Sequence, residues 1–355
     1  MPAPARRAPA RRAPARRSPV SPVVASATAL LVLTACAPTA AGPGTGASAT
    51  AAAPGFPLVV ENCGVEVELE APPERMVLLG SSWVPYLAEL GALDRAVARA
   101  GAFPPAYYDE DVLAALEDVP LLGDDLDSGG HLHISREAVI AQAPDLVLGD
   151  ADTVDRASLA GAGIPMLEEP TRCATAPREA SFADITDQLP RYGDVLGTPE
   201  VAEEAGAALE RRLEEITTAA AQQGSAEPRT AAVLYPTVGG GTTYAYGTAS
   251  MAHPQLEGAG LRNVFADVPE RVFEVSPEEL VARDPDVLVL LHSDGAPGPV
   301  AEAVQQLPGA SAITAVREDE VLVQLFNFTE PPTPLALEGL DRIVDRFGAP
   351  AQGRR

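Results

Sequence analysis

A fifteen-residue segment of this chain occurs twice. Ile134–Leu148 aligns without a gap on Val275–Val289, with five positions identical and six exchanging one aliphatic residue for another. Both copies read alike in physical terms. Ser135 and Ser276 are helix-capping residues, apolar positions follow at helical spacing, and a Pro-Asp pair (Pro144 with Asp145, Pro285 with Asp286) precedes a fully apolar strand. Such a helix-strand unit needs a sheet to bury its strand. Two copies therefore imply two similar lobes, and only two copies exclude a solenoid.

The rest of the chain fits that outline. Pro57–Glu70 alternates around Cys63 and Gly64 as a β-hairpin does. Met76–Gly80, Leu146–Gly149 and Ile164–Leu167 read as strands and Val84–Leu90 as a helix, the alternation of βα units around a mainly parallel sheet. Between the repeats the pattern becomes helical over Ser181–Gly197 and Pro199–Gln223, and Pro190 is expected to break the first of these. In the second, Val201, Ala205, Ala208, Leu209, Leu213 and Ile216 form one stripe, with Pro199 in the first turn and Gly224 at the end. Alternation resumes with a strand at Ala231–Tyr235. The expected fold is α/β: two Rossmann-like lobes, residues 55–180 and 225–349, joined by an interlobe helix region, 181–224.

Residues 1–35 are of another kind. Three Ala-Pro-Ala-Arg-Arg blocks form a basic head, and Val23–Ala35 is an apolar run too short to span a bilayer. Small residues follow, the order of a secretory signal. Leu33, Thr34, Ala35 and Cys36 resemble the lipobox of bacterial lipoproteins. That resemblance implies that Cys36 becomes the first mature residue and carries a lipid; the rival is an ordinary cleaved signal with an incidental cysteine. Residues 36–54 lack an apolar pattern and read as a flexible linker.

Every basic residue is Arg, and six of the 25 lie before position 18, where there is no acid. From Cys36 onward 19 Arg face 50 Asp and Glu, a formal charge of −31. A body so acidic repels nucleic acid. Cys63 and Cys173 remain, and outside the cytoplasm two such thiols are expected to pair. Metal ligation is the rival, although neither has a second Cys nearby.

In this order, several motifs resemble the substrate-binding proteins of ABC importers for siderophores, cobalamin and haem. They are the Ser-x-Glu to Pro-Asp units of both lobes, Ala71–Arg75 before the first sheet strand, Glu89–Arg95 after it, and Gly260–Phe265 in the second lobe. The resemblance runs from about Pro57 to Phe347. It implies the class III periplasmic-binding-protein fold, a ligand held between the lobes and a membrane permease with its ATPase as partner. It also implies a monomer and no cofactor. Independently, ligands of open α/β sheets sit beyond the carboxyl ends of strands, so cleft residues should follow Gly80, Gly149, Leu167, Tyr235 and Leu325.

Each candidate residue carries two readings. Glu137 and Glu278 match each other in the repeat. An acid in the first turn complements the helix dipole, and Ser276 with Glu279 has the spacing of a capping box. The resemblance implies that Glu137 and Glu278 also dock on Arg residues of the permease. Trp83, the only Trp, is a stacking platform for a chelate or a core residue. By resemblance, the irregular stretch with Phe103, Tyr107 and Tyr108 reaches over the ligand. His131 and His133 form His-x-His with both rings on one side, as ligand contacts, metal ligands or surface residues. Tyr235 opens a run ending in Gly239, Gly240 and Gly241, with Tyr244 and Tyr246 beyond it. No Lys follows, so this is not a phosphate loop; the glycines read as a flexible turn that lets backbone approach the ligand, with Tyr235 and Tyr244 as ligand contacts. Arg271 and Phe273 precede the second repeat as His131 and His133 precede the first, and Arg271 is suited to an anionic group. Phe326, Asn327 and Phe328 follow the last strand, where they are expected to close the cleft, with Phe326 a ligand contact.

No Gly-x-Ser-x-Gly, His-Glu-x-x-His or Cys-His arrangement is present, so enzymatic function is not expected. The reading that results is an extracytoplasmic, lipid-anchored receptor of an ABC importer for a metal chelate. A ferric siderophore comes first, with cobalamin and haem as rivals. A direct zinc or manganese receptor and a sensor without transport are the alternatives.

Overall fold

The computed structural model describes residues 53–126, 132–173, 179–223, 227–293 and 295–348. The expected signal, Cys36, nearly all of the linker, His131 and Gly224 lie outside the described residues. The chain enters through an antiparallel hairpin of β1 (Leu58–Asn62) and β2 (Val65–Leu69). Its two turn residues, Cys63 and Gly64, both have positive φ, as a two-residue hairpin turn requires.

The first lobe is built on β3 (Met76–Leu79), β4 (Ala96–Ala100), β5 (Leu121–Gly123), β6 (Leu146–Gly149) and β7 (Met166–Leu167). They form one parallel sheet in the order β5-β4-β3-β6-β7. The second lobe holds β8 (Thr230–Pro236), β9 (Thr243–Tyr246), β10 (Arg262–Asn263), β11 (Val272–Glu274), β12 (Val287–His292) and β13 (Val321–Leu325). Its order is β11-β9-β8-β12-β13, with β10 beside β8. Here β8, β12 and β13 run parallel, whereas β9 and β11 are antiparallel additions. The three glycines after Tyr235 thus lie in a hairpin loop joining β8 to β9, and Tyr244 returns beside Tyr235.

The two repeats occupy equivalent places. β6 lies between β3 and β7, and β12 lies between β8 and β13. Ser135 and Ser276 each accept a hydrogen bond from the backbone N–H three residues on, at 3.2 and 3.1 Å. After each short helix a residue of positive φ stands at the same repeat position, Ala143 and Asp284. The Pro-Asp carboxylates then do the same work twice. Asp145 accepts the N–H groups of Glu74 and Arg75 just before β3, and Asp286 accepts that of Thr230 at the start of β8. Each Asp therefore pins the strand beside its own. The expected capping box at Ser276 is only half made, because the Glu279 carboxylate pairs instead with Arg283 at 3.0 Å.

Pro190 lies in the first turn of a helix, Gln188–Leu196, where the missing N–H costs nothing. The break falls earlier, at Asp187, after a short helix at Ala183–Thr186. The helix Pro199–Gln223 has the expected bounds, and 25 residues at about 1.5 Å each make a rod of roughly 37 Å. Its first half packs on Gln188–Leu196. The two approach so closely that a Cβ on Gly193 would lie 2.4 Å from the Ala202 Cβ. Farther along, Arg212 reaches Glu338 and Asp341 of the helix Leu335–Phe347. The inward stripe includes Ala202, Ala205, Leu209 and Ile216, while Val201 faces solvent. One apolar core runs from Met76 and Leu78 of the first lobe through this rod to Val233, Val289 and Leu340 of the second.

Candidate functional site: the interlobe cleft

In both sheets the parallel strands deliver loops from their carboxyl ends, and these loops meet between the lobes. Asn327, in the turn after β13, donates its backbone N–H to the Tyr107 hydroxyl at 2.9 Å and its Nδ2 to Ser81 Oγ at 3.1 Å. Tyr107 donates back to Asn327 Oδ1 at 3.3 Å, and its ring packs edge-on against Phe328, centroids 5.1 Å apart. Deeper in, the Tyr86 hydroxyl donates to the Pro332 carbonyl at 2.9 Å. Burial raises the hydroxyl pKa of Tyr86, Tyr107 and Tyr108, keeping all three as neutral phenols.

On the second-lobe side, period-two alternation decides which aromatics share a sheet face. Tyr235 on β8 is in register with Tyr244 on β9, and Tyr244 with Glu274 on β11. The Tyr235 ring is edge-on to Phe326 at 6.0 Å, and its hydroxyl lies 3.0 Å from Ser293 Oγ. Tyr235 and Phe326 are half-buried, and Tyr244 is 37% exposed. These three expected residues therefore share one wall. Phe273 does not join them. It is opposite Ala245, on the other face of the sheet, and packs on Phe265 at 5.2 Å inside the lobe.

Two other expectations are corrected. Trp83 is 3% exposed and stacks on Tyr192 at 4.9 Å, in the first-lobe core beneath Gln188–Leu196. The long helical segment covers that side of the sheet and claims the indole. Arg271 is engaged: it pairs at 2.9 Å with Glu330, which is 1% exposed and also accepts the Met251 N–H at 2.7 Å. A buried carboxylate left without that guanidinium would be strongly destabilising. His133 is exposed and lines an open depression with Ser135, Arg136, Glu137 and Thr153. Among the described residues no group of three or more His, Cys, Asp or Glu is arranged to hold a metal ion.

The sequence offered no sign of Glu169. It follows β7, is only 9% exposed, and takes hydrogen bonds from the Thr171 N–H and hydroxyl. Burial pushes its carboxyl up to about 7, against the bonds from Thr171 that favour the ionised form; the nearby charge of Glu330 adds to the rise. Its loop is tied to the hairpin twice. The Asn62 side chain bonds both the N–H and the carbonyl of Glu168. Cys63 and Cys173 form a disulfide, Cα atoms 4.8 Å apart.

The periplasmic binding protein family model matches residues 76–324, from the first strand of the first lobe to the last strand of the second. The chain belongs to the periplasmic binding protein family. A solved ABC-type Fe3+-hydroxamate transport system from Saccharomonospora viridis DSM 43017 is 54% identical, covers 83% of this chain and 100% of its own, and superposes with a TM-score of 0.77. A periplasmic binding protein from Veillonella parvula DSM 2008 is 17% identical over 82% of this chain and 97% of its own, with a TM-score of 0.67. The periplasmic heme-binding protein RhuT from Roseiflexus sp. RS-1 is 21% identical over 78% and 98%, with a TM-score of 0.60. At those identities the last two are alike in fold alone. No curated protein matches.

Membership makes this periplasmic binding protein a solute binder that works outside the cytoplasm. No helix among the described residues is long and apolar enough to cross a membrane. Glu137 and Glu278 are both exposed in the first turns of their helices. Glu137 bonds Arg136 at 3.0 Å; its own backbone amide and that guanidinium hold its carboxyl below the usual range. Pro277 stands where Arg136 stands in the other copy, so Glu278 has no such neighbour.

Proposed function

We propose that this chain is the extracytoplasmic receptor of an ABC importer and that its cargo is a ferric hydroxamate siderophore. One observation carries the cargo assignment: the 54% identity, over its whole length, to a protein of an ABC-type Fe3+-hydroxamate transport system. The wall of Tyr235, Tyr244 and Phe326 suits such a ligand, since aromatic rings pack on its apolar ribs and hydroxyls reach its hydroxamate oxygens. Phe103 would face it from the first lobe, whereas Tyr107 is 6% exposed, its ring on Phe328 and its hydroxyl on Asn327, and serves the contact between the lobes instead. In this reading Cys36 carries the lipid that tethers a monomeric receptor to the membrane. Glu137 and Glu278, one per lobe, meet cationic side chains of the permease.

Titration of the purified chain tests the cargo. Ferrioxamine B, a ferric trihydroxamate, is expected to bind saturably at one site, with haem and cyanocobalamin at least a hundredfold weaker. Tighter binding of haem or cyanocobalamin, or no binding of any of the three, would overturn the proposal.

A further inference from the structure

The segment Phe326–Thr333 is held by one lobe and reaches to the other. Its attachments to the second lobe are buried: Glu330 to Arg271 and the Met251 N–H, Gln255 to the Phe328 carbonyl, and Gln324 to Thr329. Asn327 differs from all of these. Every polar contact of its side chain, and that of its N–H, goes to Ser81 or Tyr107 in strand-to-helix loops of the first lobe. Among the described residues no hydrogen bond ties the Asn327 side chain to its own lobe, and the Tyr107 hydroxyl hydrogen-bonds only to Asn327. Ser81 and Asn327 are half-buried and Tyr107 is 6% exposed, whereas Tyr86, which meets Pro332, is 3% exposed near the rod. The Ser81–Asn327 bond therefore joins the two lobes through residues that water reaches, beside the small apolar cluster of Tyr107, Phe328 and Leu335.

We infer that Asn327 is the latch of the cleft. Carried by a loop rigidly fixed to the second lobe, it clasps Ser81 and Tyr107 of the first, and its release sets how fast bound cargo leaves. When the lobes part, Tyr107, Ser81 and Asn327 exchange one another for water, so the latch gives a modest bias toward closure and not a lock. Net hydrogen bonds of this kind combine to about a tenfold change in an equilibrium. The inference rests on the cleft being the cargo site, but the latch itself can be tested without cargo.

Hydrogen exchange on the full mature chain, without ligand, reads the latch across the lobes. Asn327→Ala should speed exchange in the first-lobe loops Gly80–Trp83 and Phe103–Tyr108 severalfold and leave the second-lobe strands unchanged. A role confined to the second lobe would leave those first-lobe loops as they were, and that result would overturn the latch. Ser81→Ala removes one bond from the opposite side. It should reproduce part of the effect, which keeps the test sound if Asn327→Ala disturbs folding. Ferrioxamine B should dissociate about tenfold faster from Asn327→Ala and about threefold faster from Ser81→Ala. If ferrioxamine B does not bind at all, the exchange result still decides the latch. If it binds and leaves at an unchanged rate, the latch is refuted and the cargo assignment stands.

Discussion

Replacing Glu169 by Gln should remove a pH dependence that the fold imposes on its own stability. Burial between the lobes pushes this carboxyl from an ordinary 4.5 up to about 7. For an acid raised in this way, the folded state holds a proton that the unfolded state has already lost. Stability is therefore unaffected below about pH 4.5, falls as pH rises through the interval, and stays reduced above about pH 7. At 1.36 kcal/mol per tenfold change in acidity, the loss amounts to about 3 kcal/mol. Gln cannot ionise, so the variant lacks this loss. It forfeits one of the two bonds from Thr171, but that cost is the same at every pH. The assay is urea unfolding of both proteins from pH 4.5 to 8.5. The difference in unfolding free energy, variant minus wild type, should grow by about 2–3 kcal/mol across the range, with its midpoint near pH 6. Equal growth in both proteins, or a variant that weakens relative to wild type as pH rises, would refute the assignment of a buried, proton-holding Glu169.

Gly193→Ala should destabilise by about 1–3 kcal/mol in thermal unfolding, because the new methyl meets Ala202 on the rod; adding Ala202→Gly should restore much of the loss. Replacing Cys63 and Cys173 together by Ser should cost about 2–5 kcal/mol, read as a lowered melting temperature, since the bond closes a loop across 110 residues. Reversing Glu137 and Glu278 together to Arg should abolish ferric hydroxamate uptake by cells at unchanged affinity of the purified receptor. Wild-type uptake in that double variant would remove both residues from the docking surface.

The architecture was legible because the repeat combines signals of different physical origin: a cap, a helical period, a Pro-Asp stop and an apolar strand. Their agreement placed β6 and β12 correctly and bounded the rod. Within the rod, periodicity tolerates a shift of one residue, so Val201 reads as inward by pattern, whereas the close crossing at Gly193 turns Ala202 inward. The site was less legible. Tyr235 stands near the end of β8 and Phe326 just after β13, ends that local pattern marks, and the hairpin loop returns Tyr244 on β9 beside Tyr235. Phe273 is separated from Tyr244 by strand parity, and parity across a sheet depends on register that the sequence does not announce. Trp83 sits in a cleft-side loop by sequence, yet its ring turns inward under a helix that begins more than a hundred residues later. The pairing of Arg271 with Glu330 and the burial of Glu169 likewise arise from contacts between distant segments.

Crystals of the receptor grown with ferrioxamine B, measured at the iron absorption edge, place the cargo directly. One anomalous peak is predicted in the gap between the loops after β3 and β4 and the wall of Tyr235, Tyr244 and Phe326. Iron located on the outer surface of either lobe, with that gap filled by protein alone, would contradict capture between the lobes.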